Sequence, residues 1–451
     1  MVYSLLYRRP SHVSSSRASL SGEEKQKSIT DSVGSGSSGM SHGIPDALSF
    51  DRIIAGGVCP PCTVRDFMNY LKYIEHAAEN LQFFLWHKDY TKRFNELPDS
   101  EKKLAPEWTM TKAESEALAA QMTSRPKSNL NPAVQEVFKG TDFAPPTKPS
   151  DNEKANPFYT PPRTPSEETR REDDASFVTS EGRTSASQTT KTTYAKKAGD
   201  AFDDAGLKWQ PFTIQPFREE VSRIITIYIS DGAPRQLNLS AKERTALLHA
   251  LENTTHPTAF KNILTTVEFS LRSQNHPNFI RWTICNGNRP RVIFARGLGV
   301  GGIVGGLIAA IIITLSSAGR AYRVLSAIGF MIGIATLIAA WKGMCVVLHG
   351  MHHRHLRPWE LFGDDVDEEL ELKNASLDSL ATKNSYEDEP WVARYDKRNV
   401  IRKVFDREVW IEEPALRQIQ DTIFIQAIIG AFVITAVSVG IFCAVPKGNF
   451  F

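Results

Sequence analysis

GLGVGGIVGGLIAAIIITL at Gly297–Leu315, VLSAIGFMIGIATLIAAW at Val324–Trp341 and TIFIQAIIGAFVITAVSVGIFCAV at Thr422–Val445 contain no charged residue. Each approaches or exceeds the ~18–20 residues a helix needs to cross a ~30 Å hydrocarbon core. A buried helix of a soluble domain is ordinarily shorter and keeps a polar face. The three runs therefore predict an integral membrane protein, and the rest of the chain is read as what they anchor.

Basic flanks suggest the orientation. Arg281, Arg289, Arg291 and Arg296 precede the first run, and Lys342, Arg354 and Arg357 follow the second. The hairpin between them carries only Arg320 and Arg323, and the tail after the third run only Lys447. By the positive-inside rule, the N-terminal part and the 349–421 loop are expected in the cytosol and the C-terminus outside it. MVYSLLYRRPSHVSSSR has too few apolar residues before Arg8 and Arg9 to form a secretory h-region. The sequons at Asn253-Thr254-Thr255 and Asn374-Ala375-Ser376 are accordingly expected to carry no glycan.

With no charge inside any run, a pore or transporter is not indicated. Gly297/Gly301/Gly305, Gly302/Gly306 and Gly329/Gly333 form GxxxG steps, which let helix backbones approach closely. They predict packing within the hairpin or a homo-oligomer.

Composition excludes some classes. Lys+Arg 53 against Asp+Glu 51 over 451 residues gives no global argument for nucleic-acid binding. Five scattered cysteines do not make a disulfide framework. Cys59 and Cys62 have CxxC spacing, but no second pair completes a tetrahedral site, so no metal is assigned there. His349, His352, His353 and His355 lack a carboxylate or cysteine at ligand spacing, and contact with lipid headgroups is the expected role. The stretch 364–389 holds ten acidic residues against two lysines and reads as a solvated linker. No cofactor is expected, and no catalytic constellation of the chain's own is visible.

Along the chain, residues 1–44 are rich in Ser, Gly and basic side chains and are expected to be a disordered tail. In 63–94, Val64, Phe67, Met68, Leu71 and Ile74, then Leu81, Phe84 and Leu85, fall at helical spacing. Thr63 and Asp66 suggest a capping box, and Glu75–His76 a break between two helices. From 99 to 209, Pro, Ser, Thr and charge dominate, and a flexible insertion is expected, with some helix near Lys112–Met122. Its Thr160-Pro161 and Thr164-Pro165 pairs are either phosphorylation sites or ordinary features of Pro-rich sequence. Helical periodicity returns at Phe217–Ile229, at 241–253 with Ser240 as N-cap, and at Thr258–Ser273, where Asn275-His276-Pro277 is expected to end the helix. The soluble part is thus an all-α domain in two blocks, 45–98 and 210–286, around the 99–209 insertion.

The two blocks together resemble the regulator of G-protein signalling (RGS) domain. PCTVRDFMNYLKYIEHAAENLQFFLWHKDY matches its early aromatic and apolar positions and its Glu-Asn helix through Phe67, Tyr70, Leu71, Glu79, Asn80, Leu81, Phe83 and Phe84. QLNLSAKERTALLHAL is similar to its hydrophobic-Asn-hydrophobic turn, and PTAFKNILTTVEFSLRSQNHPNFIRW to its last helix with a closing Phe279-Ile280 pair. The likeness covers about 59–95 and 211–286. With three C-terminal spans added, the layout resembles the fungal membrane RGS proteins of the bud-site-selection and polarity family.

The resemblance implies an RGS-type helical bundle at the plasma membrane. Its partners would be a heterotrimeric Gα subunit, membrane lipid and another membrane polarity protein. Such a domain has no nucleophile or base of its own; it holds the Gα switch regions in the shape that suits GTP hydrolysis, acting as a GTPase activator in trans. Carried over position by position, Glu79, Asn80, Asn238, Gln274, Asn275 and Asn278 are the Gα-facing residues. The last helix departs from the family: Gln274-Asn275 stands for an Asp-Ser pair, and Asn278 for an Arg. Each lost charge-assisted bond is worth about 1.5–3 kcal/mol. A catalytically silent RGS-like scaffold marking a cortical or bud site is the alternative. Taken singly, Glu79 is equally a solvated helix-face carboxylate and Asn238 a turn residue.

Overall fold

The computed structural model describes residues 7–14, 22–34, 43–109, 186–208, 214–362, 390–446, 448 and 450. Three of its helices are long and apolar enough to cross a membrane: Arg289–Leu315, Arg320–Trp341 and Pro414–Ala444. The first and third begin upstream of the uncharged runs because their starts are well capped. Asn288 accepts from the Arg291 amide ahead of Pro290, and Glu413 from the Ala415 amide ahead of Pro414.

The first two spans pack through glycine. A Cβ built on Gly306 would sit 2.9 Å from the Phe330 nitrogen, and one on Gly333 2.6 Å from the Ile303 nitrogen. Gly297, Gly301 and Gly305 have open space around theirs. The Gly302/Gly306 and Gly329/Gly333 steps therefore close the hairpin, while the other stripe faces away from it. Gly333→Val is expected to destabilise the protein by at least about 1–3 kcal/mol, and Gly301→Val to leave it unchanged; thermal melts in detergent compare the two.

Arg323, wholly buried, donates to the carbonyl oxygens of Phe442 and Val445 at 2.6 Å each. It closes the C-terminus of the third span, where free carbonyls and the helix dipole favour a cation.

The two soluble blocks share one core. Phe67, Leu71, Leu81 and Phe83 of the first lie in the same buried cluster as Val221, Ile224, Leu247, Phe260, Phe279 and Ile280 of the second. Glu220 ties them at the rim, accepting from the Trp86 indole at 2.7 Å and pairing with Arg93 at 2.6 Å. The cluster continues into Ile411, Leu416, Ile419 and Ile423, so the soluble domain is seated on the entrance of the third span.

The local signals at Thr63/Asp66 and Ser240/Glu243 are both reciprocal capping boxes. The expected break at Glu75–His76 is also present: Val64–Tyr70 runs into a π turn at Leu71–Glu75, and His76 takes a left-handed conformation (φ 54°) before Ala78–Asn95 begins.

The structure departs from the sequence expectations in four places. The helix beginning at Lys261 does not end at Asn275-His276-Pro277. A π turn at Leu271–Asn275 leads straight into His276–Thr283, with Pro277 in the first turn, next to the π turn that has already shifted the hydrogen-bond register. The expected disordered tail contains a helix, Gly22–Gly34, packed on Lys261–Ser270, and an ordered strip, 7–14. Within the 99–209 insertion, Ala186–Ala205 is a helix that sinks Ala198 and Phe202 into the main core. Lys112–Met122 and both Thr-Pro pairs lie outside the described residues. The fourth departure is from an all-α chain: two short antiparallel strands, β1 (His353–His355) and β2 (Glu408–Trp410), join the ends of the 349–421 segment, pairing His353 with Trp410 and Arg354 with Val409.

Candidate functional site

Three separate stretches converge on one cavity of about 350 Å³, lined by Glu75, Glu79, Asn80, Leu237, Asn238, Leu239, Gln274 and Asn275 among others. Each side chain is placed by a local device. Glu79 and Asn80 occupy the first turn of Ala78–Asn95, where the positive end of the helix favours a carboxylate. Asn238 stands at the tip of a tight turn in which the Leu239 amide bonds the Leu237 carbonyl at 2.8 Å. Leu237 and Leu239 are buried on either side, which forces the Asn238 amide outward into solvent. Gln274 and Asn275 lie on the π turn, which shifts the register of the helix face.

Five of the six residues named from sequence, Glu79, Asn80, Asn238, Gln274 and Asn275, thus share one cavity. Asn278 lies one turn further on, buried and not part of its lining. Asn275 is also buried and accepts from Ser270 Oγ at 3.4 Å.

Sequence reasoning missed Glu75. One of its oxygens accepts from Asn278 Nδ2 at 3.0 Å and from Gln274 Nε2 at 3.4 Å, while the other is buried without a partner. The only signal at this position was the polar break, which marked a helix boundary and nothing more.

The N-terminal strip was also missed. Val13, Ser14 and Lys25 line the same cavity. The Asn278 amide holds Val13 on both sides, accepting from its N–H and donating to its carbonyl, both at 2.9 Å. Arg281 donates to the Pro10 carbonyl at 2.8 Å, and Arg9 donates to the carbonyls of Lys342 and Arg281. Gln426 on the third span holds the Tyr7 carbonyl at 3.0 Å. The strip is therefore clamped largely through its backbone, which any sequence possesses, with the Arg9 side chain adding two bonds; no pattern in its side chains announces it.

Next to Asn275 in the chain, His276 is buried against the Leu48 carbonyl, with Nε2 at 2.8 Å. Burial pushes its imidazole down to about 4, against about 6.5 for a free histidine. The unfolded chain takes up this proton first, so the stability that neutral His276 contributes is complete above about pH 6.5 and lost as pH falls towards 4. Melting temperature is expected to fall across that window, by up to about 3 kcal/mol of stability, with a shallower fall in His276→Gln.

Comparison of the chain with protein-family models, curated proteins and solved structures returns no match.

The cavity presents carboxylates at Glu75 and Glu79, amides at Asn80, Asn238, Gln274 and Asn275, hydroxyls at Ser14, Thr266, Ser270 and Ser273, the His76 imidazole and the Lys25 ammonium. Asn80 and Asn238 each offer an amide that both donates and accepts.

Proposed function

We propose that this protein is a membrane-anchored regulator of heterotrimeric G-protein signalling that binds Gα switch regions and accelerates GTP hydrolysis. The observation that carries the reading is the convergence of Glu79, Asn80, Asn238, Gln274 and Asn275 on one cavity. They come from three stretches far apart in sequence, and the resemblance names them together. Asn238, exposed at its turn, is the group suited to orienting the Gln and water of a Gα that already supplies its own Arg. Three spans would hold the domain at the plasma membrane beside lipidated Gα, raising its effective concentration and offsetting the charge missing from the last helix.

The clamped strip favours a refinement of this reading. With Val13 and Ser14 at the cavity and Val13 fixed to Asn278, the N-terminal segment competes with Gα for its own face. The resting protein is then an occluded form. The second reading, a silent scaffold for polarity or bud-site marking, is favoured by the same observation if the strip never leaves.

Single-turnover GTP hydrolysis by candidate Gα subunits, with the full chain in nanodiscs and with a form lacking residues 1–42, tests both. The full chain is used because the soluble core runs on into Leu416 and Ile423. Acceleration by either form supports the activator. A folded truncated protein that neither binds nor accelerates any Gα leaves the scaffold.

A further inference from the structure

The histidines around His349 lack a carboxylate nearby in sequence, but the fold supplies one. The third span sets Asp421 against the short helix Val346–Gly350, and single donor atoms of His349, His352 and Asp421 all lie within 4.8 Å of one another. His349 Nε2 stands 3.5 Å from Asp421 Oδ1. That is long for a hydrogen bond between them. It is close to the edge of a tetrahedron with metal–ligand bonds of about 2.1 Å, which is about 3.4 Å.

We propose that His349, His352 and Asp421 bind a divalent transition-metal ion, with Zn²⁺ the best match, as a clasp between the segment leaving the second span and the start of the third. His349 is 5% exposed. Its Nδ1 has no hydrogen-bond partner and its Nε2 faces Asp421, an arrangement that a purely structural buried imidazole rarely shows. His352 has the bonding typical of a metal ligand. Its Nδ1 lies 3.0 Å from the His349 carbonyl, and donation there leaves the Nε2 lone pair free.

The backbone at His352 is left-handed (φ 54°), a costly conformation for a residue with a Cβ and one that gathers at functional sites. It is held by its surroundings: the Ile411 amide bonds the His352 carbonyl at 3.0 Å, and the Trp410 ring packs on the His352 imidazole. The Phe424 ring packs against the His349 imidazole. Arg417, the nearest cation on the Asp421 helix, lies over Trp410. His355 stands apart, 3.8 Å from Glu408.

Two imidazoles and one carboxylate suit Zn²⁺ with water in the fourth position, and disfavour Mg²⁺ and Ca²⁺, which prefer all-oxygen sites. The same donors also serve Fe²⁺, so the ion must be distinguished by experiment. Bound there, it would pin together the two ends of the 349–421 segment that β1 and β2 already join.

The test uses the full chain in detergent with its affinity tag removed, dialysed against chelator and titrated with Zn²⁺, Fe²⁺ or Mn²⁺. Metal content and melting temperature are read out. Wild type is expected to retain about one Zn²⁺ per chain and to melt several degrees higher with it. His352→Ala and the near-isosteric Asp421→Asn should lose both effects, and His353→Ala should keep them. Metal-free Asp421→Asn melting like metal-free wild type shows that the variant folds. A wild type that takes up no metal at micromolar Zn²⁺ overturns the proposal, as does uptake undiminished in both triad variants.

Discussion

Asn238→Ala is expected to cut acceleration of GTP hydrolysis by about a hundredfold, the usual cost of removing one well-placed hydrogen-bonding group from a transition state. The same change should leave the fold untouched. Asn238 is exposed, its side chain makes no hydrogen bond among the described residues, and the turn is held by the backbone and by Leu237 and Leu239. That separation makes the variant informative. Single-turnover kinetics at saturating protein isolate the chemical step, and a melt on the same sample reports folding. Loss of acceleration at an unchanged melting temperature fits an amide that acts on the Gα switch Gln. Full acceleration by Asn238→Ala would remove the basis for assigning Asn238 a role in hydrolysis. Glu79→Gln should behave differently, weakening association more than the chemical step, since a carboxylate at a helix N-terminus offers a partner charge and not a positioned donor.

Legibility from sequence follows the range of the interaction. Signals written within a few residues read correctly: the uncharged runs, the Thr63/Asp66 box, the Ser240 N-cap and the break at His76 all depend on neighbours in the chain. The Pro277 break failed because one extra residue per turn, accommodated at Leu271–Asn275, is decided by packing and not by propensity. Glycine spacing announced close helix contact but did not say which stripe meets which. Three dimensions chose Gly302/Gly306 against Gly329/Gly333.

The helix at Ala186–Ala205 was hidden because its described core face, Ala198, Ala201, Phe202 and Ala205, has helical spacing but is mostly alanine, which carries little apolar signal. Asp421 was invisible as a partner of His349 because the contact joins two segments separated by a long stretch of chain. The candidate cavity is a mixed case. Its residues came from a resemblance, their convergence on one cavity appears only in the fold, and Glu75 and Val13 emerge only there.

Removing residues 1–42 is expected to raise apparent affinity for Gα by about ten- to a hundredfold. When it leaves, the strip gives up two hydrogen bonds at Asn278, one each at Arg281 and Gln426, and the two that Arg9 donates to the Lys342 and Arg281 carbonyls. Bonds worth roughly 0.5–1.5 kcal/mol net each are opposed by the entropy of ordering the strip, and the expected tenfold to hundredfold gain corresponds to a small net preference for closure, about 1.4–2.8 kcal/mol. A competent form populated at one part in ten to one in a hundred lowers apparent affinity by that same factor. Val13→Pro is the sharper variant, because proline lacks the N–H that Asn278 accepts and leaves Glu79, Asn80, Asn238, Gln274 and Asn275 unaltered. It should reproduce part of the gain, about twofold to tenfold for one such bond. Titration of fluorescent GTP-analogue-loaded Gα against wild type, Val13→Pro and the truncated chain gives the series. Rising affinity in that order identifies the strip as a competitor for the Gα face. Equal affinity in all three means that Gα, where it binds, does not need the ground that Val13 covers.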